Sequence, residues 1–283
     1  MPRRKHVTAR QERLGAELRK LRERAGVPAR EAADVVGMDQ ATMSHLEAGR
    51  VAAGEKRVRL LTSHYGVSDI SLVDALSAMA AERVRGWWAK YQGRLVPVLL
   101  DLAELEHHAR GLKLFQMVHV PGLFQTEDYM RALHVNAPYE LSPELLEATV
   151  DFRLGRQQVL DRDAPPETRA VVHEAALRIK VGDRKVARGQ LDQLLEASTR
   201  PCVSLRVISF EKEGFAGAGL PMLYAEGPVR QLDTVQFDTV NGSVFSGEEE
   251  QLDDYRRVFA MMETAALPVR ESRDLIHRIA EEL

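Results

Sequence analysis

The sequence predicts an α+β chain: an all-α N-terminal domain, then a C-terminal domain with a helical layer and a mostly antiparallel sheet. Three observations carry this. Apolar residues keep a helical period from Leu14 to about Asp161, strand-like alternation begins after Pro165-Pro166, and 283 residues with 45% hydrophobic content can bury a second core beyond a small first domain. The expected boundaries are 1–76, a helical linker over 77–92, and 93–283.

Leu14, Leu18 and Leu21 give the first helix one buried stripe, and Gly26 supplies its C-terminal stop. Ala32, Ala33 and Val36 mark the second, which stops at Gly37. Asp39 is placed to cap a third helix in which Met43 and Leu46 turn inward while Gln40, Ala41 and His45 share the outward face. Two short helices joined by so tight a turn form a helix-turn-helix, and a face of short polar side chains suits a DNA major groove. On this reading Gln40 and His45 meet base edges, Ala41 a thymine methyl, and Thr42, Arg50, Lys56 and Arg57 phosphates. Asp39 is assigned to the cap and not to a base.

Charge divides along the chain. Residues 1–60 carry 14 Lys/Arg against 8 Asp/Glu, whereas 61–283 carry 25 against 34, so the net charge of -3 conceals a basic front and an acidic rear. A basic end is the footprint of duplex binding, because neutralised phosphates release counterions. Arg3, Arg4 and Lys5 fit a flexible arm along phosphates. No apolar run follows this basic start, as a secretion signal requires, and no apolar stretch is long enough to span a membrane. Cys202 is the single cysteine, which excludes an internal disulfide framework; beside Val203–Val207 it reads as a small buried thiol. A cytoplasmic protein is expected.

From Ile70 to Tyr91 the helical pattern continues without a Gly/Ser-rich break. Beyond it, helices are expected over Leu99–Leu114, after a cap at Thr126, and from Ser142-Pro143-Glu144. Strands are expected over 169–173, 203–210, 221–225 and 229–237, with turns at Gly227-Pro228 and Asn241-Gly242. A helix over 183–198 interrupts them. Ser246-Gly247-Glu248-Glu249 reads as a capping box before a stripe of Leu252, Tyr255, Phe259 and Met262, and a last helix covers about 271–282.

Catalysis finds little support. The histidines at 107, 108, 119, 134 and 173 lack a compact metal-binding spacing. The glycine-rich 214–219 stretch lies between two strands and does not lead from a strand into a helix, as a dinucleotide-binding turn does. Glu248–Glu250 superficially resembles the paired glutamates of ADP-ribosyltransferases, but acidic residues in a first helical turn answer the helix dipole. Neither an enzyme nor a cofactor nor a metal is expected.

Ala33-x-x-x-Gly37, Leu46-Glu47-x-Gly49 and Leu60-Leu61-x-x-x-Tyr65-Gly66-Val67 resemble the XRE, lambda-repressor-like family over 14–76. Pro28 and Ala29 depart from it, standing where the family has a capping Ser or Thr and a DNA-binding Gln. Gly86-Trp87-Trp88, the run from Val120 to Tyr129, Arg153-x-x-Arg156-Gln157, Glu174–Arg178 with Val181-Gly182, and Ala266-Leu267-x-x-x-x-Ser272 resemble the effector domain of the WhiJ-like regulators of actinobacteria. That resemblance implies a transcriptional regulator of development or antibiotic production, with a small partner protein often encoded nearby. A dimer on a symmetric operator is expected, and a small effector in a cleft lined by Trp87, Trp88, Phe124, Tyr129, Arg153 and Arg156. Two alternatives stay open: a rear domain that binds a partner protein, as in an antitoxin pair, or a nucleotide-using enzyme holding Arg153 or Arg156 beside a functional glutamate.

Overall fold

Five amphipathic helices open the chain in the computed structural model, which describes residues 7–82, 86–135, 141–217, 221–239 and 242–283. Arg3, Arg4 and Lys5 lie outside the described residues, as do Asn241 of an expected turn and part of the glycine-rich stretch. The chain divides into two units, Met1–Gly86 with Pro228–Leu232, and Trp87–Gly227 with Asp233–Leu283.

Unit 1 contains α1 (Ala9–Arg24), α2 (Ala29–Val35), α3 (Gln40–Glu47), α4 (Glu55–His64) and α5 (Ile70–Ala81). Polar caps define the starts: Thr8 and Gln11 form a capping box on α1, and Asp39 and Asp69 accept backbone N–H groups at α3 and α5. Gly26 and Gly37 take φ near +69° and +66° just past α1 and α2, a conformation open to glycine at no steric cost. Leu18, Met43, Leu46, Val58, Leu61 and Leu76 make the core, which also takes in Leu232. The closest approach is between α1 and α3. A Cβ on Gly15 would sit 2.7 Å from the Leu46 carbonyl oxygen, and one on Gly49 2.7 Å from the Gln11 carbonyl carbon.

The helix expected to run on to Tyr91 does not. α5 ends at Ala81, Glu82 is extended, and a short 3-10 turn covers Trp87–Tyr91. The apolar residues on the two sides belong to different cores: Leu72, Ala75 and Leu76 pack in unit 1, Trp88 and Tyr91 with Phe152 in unit 2. No single stripe runs through.

Unit 2 is built on a six-stranded sheet among the described residues: β1 (Gly111–Gln116), β2 (Glu167–His173), β3 (Val203–Ile208), β4 (Met222–Glu226), β5 (Thr234–Thr239) and β6 (Gly242–Ser246). The order is β3-β2-β1-β4-β5-β6, with β3, β2 and β1 parallel and the remaining pairings antiparallel. Parallel neighbours need long crossovers. α7 (Glu127–Val135) and α8 (Pro143–Gln157) connect β1 to β2, and α9 (Glu174–Arg178) and α10 (Arg184–Ala197) connect β2 to β3; α6 (Pro97–His108) precedes the sheet. α11 (Glu249–Ala265) and α12 (Val269–Glu282) close the chain.

The alternation of strand side chains separates two cores. Leu112, Leu114, Ala170, Val172, Leu205 and Leu223 share one with Leu191, Leu194, Ile276 and Ile279, while Phe115, Val171, Tyr224 and Val235 share the other with Leu252, Phe259 and Met262. With both faces covered, the fold is α+β as expected, but β1 and β6 were not among the expected strands. Leu112 and Leu114 had been assigned to a helix that actually stops at His108. The 229–237 run is split by a 3-10 turn at Arg230–Leu232, because Asp233 turns its carboxylate inward to Tyr224 Oη at 2.6 Å and the Gly227 N–H at 2.9 Å. The Ser246 box does not form either: α11 is entered at Glu248 without a side-chain cap, and the Ser246 hydroxyl pairs with Gln251.

Several motif residues prove to be fold clamps. Ser272 Oγ accepts the Val207 N–H at 2.9 Å while the Leu267 N–H reaches the Val207 carbonyl at 2.8 Å, covering the edge of β3 that would otherwise invite another strand. Gln190 ties α10 to the Val120–Tyr129 segment through the Phe124 carbonyl and the Thr126 N–H.

Gly15→Ala should therefore destabilise unit 1 by about 1–3 kcal/mol, as overpacking does where backbone is the obstacle. Gly189→Ala, in the exposed interior of α10 with nothing within 4 Å, should stabilise unit 2 by about 0.5–1 kcal/mol. Circular dichroism during denaturation compares the two; equal effects would show that the α1–α3 approach is not tight.

Candidate nucleic-acid interface

The outward face of α3 exists because the inward one is fully committed. Met43 and Leu46 are buried, and the Glu47 carboxylate receives Arg22 of α1 through two contacts, Nε to Oε1 at 2.6 Å and Nη2 to Oε2 at 3.0 Å. Arg22 Nη1 also donates to the Val27 carbonyl at 2.9 Å, so one guanidinium fixes α1, the α1–α2 turn and the end of α3. Both side chains of this pair are about nine-tenths buried. Breaking such a pair strands a charge, which is far costlier than never having built it.

At the start of α3, Asp39 accepts the Thr42 N–H at 2.7 Å and the Thr42 hydroxyl at 2.9 Å. The Thr42 backbone N–H, followed by its hydroxyl, holds the Asp39 carboxyl below the usual carboxylate range. Asp39 thus caps the helix. The Thr42 proton is engaged in the same cap, and donation to a phosphate would require it to leave. Past the last turn, Gly49 at φ +70° lets the Arg50 N–H return to the His45 carbonyl at 2.8 Å.

Gln40, Ala41 and His45 are all exposed on one face, as their spacing predicts. The structure adds Ser44 and Ala48 to that side. With Arg19, Arg22, Ala29 and Glu47 they border an open groove of about 270 Å³ between α1, α2 and α3. Helical arithmetic could have found Ser44, four residues after Gln40; its hydroxyl donates to the Gln40 carbonyl at 3.0 Å. Arg50, Lys56 and Arg57 are exposed and make no ion pair among the described residues. Arg59 does: it holds Glu55 at 3.1 Å and Asp74 at 2.9 Å.

Among the described residues, the six side chains expected to line an effector cleft take different places. Phe124 and Tyr129 lie in the main core of unit 2, with Tyr129 Oη accepting the Val120 N–H at 3.3 Å. Their apolar surface went to the sheet. Arg153 donates to Gln125 Oε1 at 3.0 Å. Trp88 is buried against Trp87, edge to face with centroids 6.0 Å apart. Trp87 and Arg156 do border a pocket of about 180 Å³, without the other four in its wall. Arg156 stands beside a glutamate, Glu106, but the guanidinium takes both carboxylate oxygens, at 2.8 and 2.6 Å. Each oxygen of Glu106 thus accepts a guanidinium hydrogen bond.

A capped, inward-anchored second helix at a tight turn from the first, presenting an exposed polar face, defines the class: unit 1 is a helix-turn-helix DNA-binding domain. Residues 13–76 match the family model described as helix-turn-helix domain. Residues 99–278 match the model described as domain of unknown function (DUF5753), and the chain belongs to that family. No curated protein and no solved structure matches the chain. Among the described residues, no helix is long and apolar enough to cross a membrane.

Glu47→Ala should cost unit 1 about 3–5 kcal/mol, since it strands the buried Arg22 charge. Replacing both partners, Arg22→Met with Glu47→Leu, should recover most of the stability. Thermal unfolding of the two variants decides: a double variant no better than the single one would show that the pair's hydrogen bonds, and not the stranded charge, carry the effect.

Proposed function

We propose that this protein is a sequence-specific DNA-binding transcriptional regulator that works in the cytoplasm as a homodimer, and that unit 2 senses a small molecule. The observation that carries the DNA reading is the division of α3. Its apolar side is held in the core, while Gln40, Ala41 and His45 face solvent beside Arg50, Lys56 and Arg57. Gln reads adenine through two hydrogen bonds, His donates or accepts, and the free cations suit phosphates. Two copies would set their recognition helices in successive major grooves. The resemblance to WhiJ-like regulators supports control of development or secondary metabolism. The reading assigns no catalytic step and no cofactor.

One observation favours a second reading, in which unit 2 docks a small partner protein. Val118 and Phe210 are large exposed apolar residues just beyond the carboxyl ends of β1 and β3, the two neighbours of β2. Phe210 lies 5.3 Å from the His173 ring at the end of β2. Co-purification of a stoichiometric small protein, lost on Phe210→Ser, would favour this reading over effector sensing.

Gln40→Ala and His45→Ala should each weaken operator binding by roughly 1–3 kcal/mol and leave random DNA almost unaffected. Equal losses on both DNAs in a competition assay would remove these residues from base readout. Deleting residues 1–6 should instead lower affinity on all sequences and flatten the plot of log affinity against log salt, because Arg3, Arg4 and Lys5 are assigned to phosphates. An unchanged slope would show that the arm makes no phosphate contact.

A further inference from the structure

The pocket bordered by Trp87 and Arg156 contains a buried ion pair with one edge left open. Its floor is the Glu106–Arg156 pair, with the side chains 1% and 10% exposed. Arg156 spends Nε and Nη2 on Glu106, and its Nη1 makes no hydrogen bond among the described residues. Arg162 in the same wall donates to three carbonyls, those of His107, Ala109 and Ala164 at 2.5–2.9 Å, and faces no carboxylate. Burial pulls its pKa below the usual arginine value. Glu106 pairs with Arg156, and the Asp238 carboxylate also acts on that guanidinium, so Arg162 is the cation of the wall that no carboxylate engages.

The other residues of the wall are apolar except for His107 and Gln158. The Trp87 ring lies so close to α8 that a Cβ on Gly155 would meet it at 2.7 Å, and Phe152 backs it with centroids 5.3 Å apart. Ala103 and Val159 complete that side. The volume of about 180 Å³ is that of a single ring; an apolar cavity of about 150 Å³ accepts benzene. We infer that this pocket binds a compact aromatic carboxylate, its ring against Trp87 and its carboxylate on the free Nη1 edge of Arg156. A ligand that pulled Arg156 away from Glu106 would strand a buried carboxylate, so the anion must add to the pair and not replace it. The inference deepens the sensing half of the proposed function and rests on it for its biological meaning, though not for the binding itself.

Benzoate is the probe, with neutral benzamide and cationic benzamidine for comparison. The chain has two tryptophans, so the full-length Trp88→Phe protein reports on Trp87 alone. Benzoate should change its fluorescence saturably and raise its Tm, and benzamidine should do neither. Arg156→Gln should weaken benzoate binding about tenfold or more. Glu106→Gln, which keeps an acceptor for Arg156 but removes the negative charge, should tighten it several-fold. That opposite pair of signs separates a ligand contact from mere loss of structure, which would weaken binding in both variants. No saturable change with benzoate, or equal binding of benzamidine, would overturn the inference and leave the DNA reading intact. Binding of benzoate with unaltered retention of operator DNA would support the pocket and overturn the sensing reading.

Discussion

Everything proposed for unit 1 depends on the ion pair between Arg22 and Glu47. α3 has eight residues, too few to persist as an isolated helix in water, so tertiary anchors must fix its orientation. Burial of Met43 and Leu46 sets which side faces inward but tolerates rotation. The two-pronged contact of Arg22 with Glu47 does not, because both oxygens are matched to a planar fork. Gly15 and Gly49 then allow α1 and α3 to close to backbone contact. Desolvating two charges offsets much of their attraction, so the pair's contribution is register more than net stability. Register is what a groove-reading helix needs.

Unit 2 repeats the device at Glu106 and Arg156, which join α6 to α8 with the same fork geometry. The difference lies in what remains. In unit 1 the third nitrogen of the guanidinium also has a partner within the fold, the Val27 carbonyl. In unit 2 the corresponding nitrogen is free at the wall of a pocket. A structural pair and a binding pair thus differ by one hydrogen bond, and only geometry can tell them apart.

What was legible in the sequence follows the range of the forces involved. Asp39, Gly37 and Gly49 act on neighbours a few residues away, so the caps, the stops and the exposed face of α3 could be read directly. The same holds for Ser142, which caps α8 where its Ser-Pro-Glu opening is expected. β1 was missed because the one glycine near the end of α6, Gly111, stands three residues past His108 and opens the strand itself, and Leu112 and Leu114 suit either period. Arg22 and Glu106 escaped because charged residues on amphipathic helices read as solvent-facing; their partners lie 25 and 50 residues away. The core positions of Phe124 and Tyr129 have a related reason. Phe124 and Tyr129 were singled out as aromatic residues in a motif, yet burial against the sheet is the larger gain for an aromatic ring, about 1.5–3 kcal/mol for Phe.

The same accounting of committed groups decides which residues remain open to function. Asp39 and Thr42 satisfy each other at the start of α3, Ser44 returns its proton to the helix backbone, and Arg59 is shared between two carboxylates. Gln40, His45, Arg50, Lys56 and Arg57 have no such engagement among the described residues. A side chain already bonded within the fold must break that bond before contacting DNA, and so gains less from the new contact than its type suggests. A free one gains the whole difference between water and the groove. The base readout proposed for unit 1 therefore falls on the few positions the fold left unsatisfied, and the ligand contact proposed for unit 2 on a single edge of Arg156.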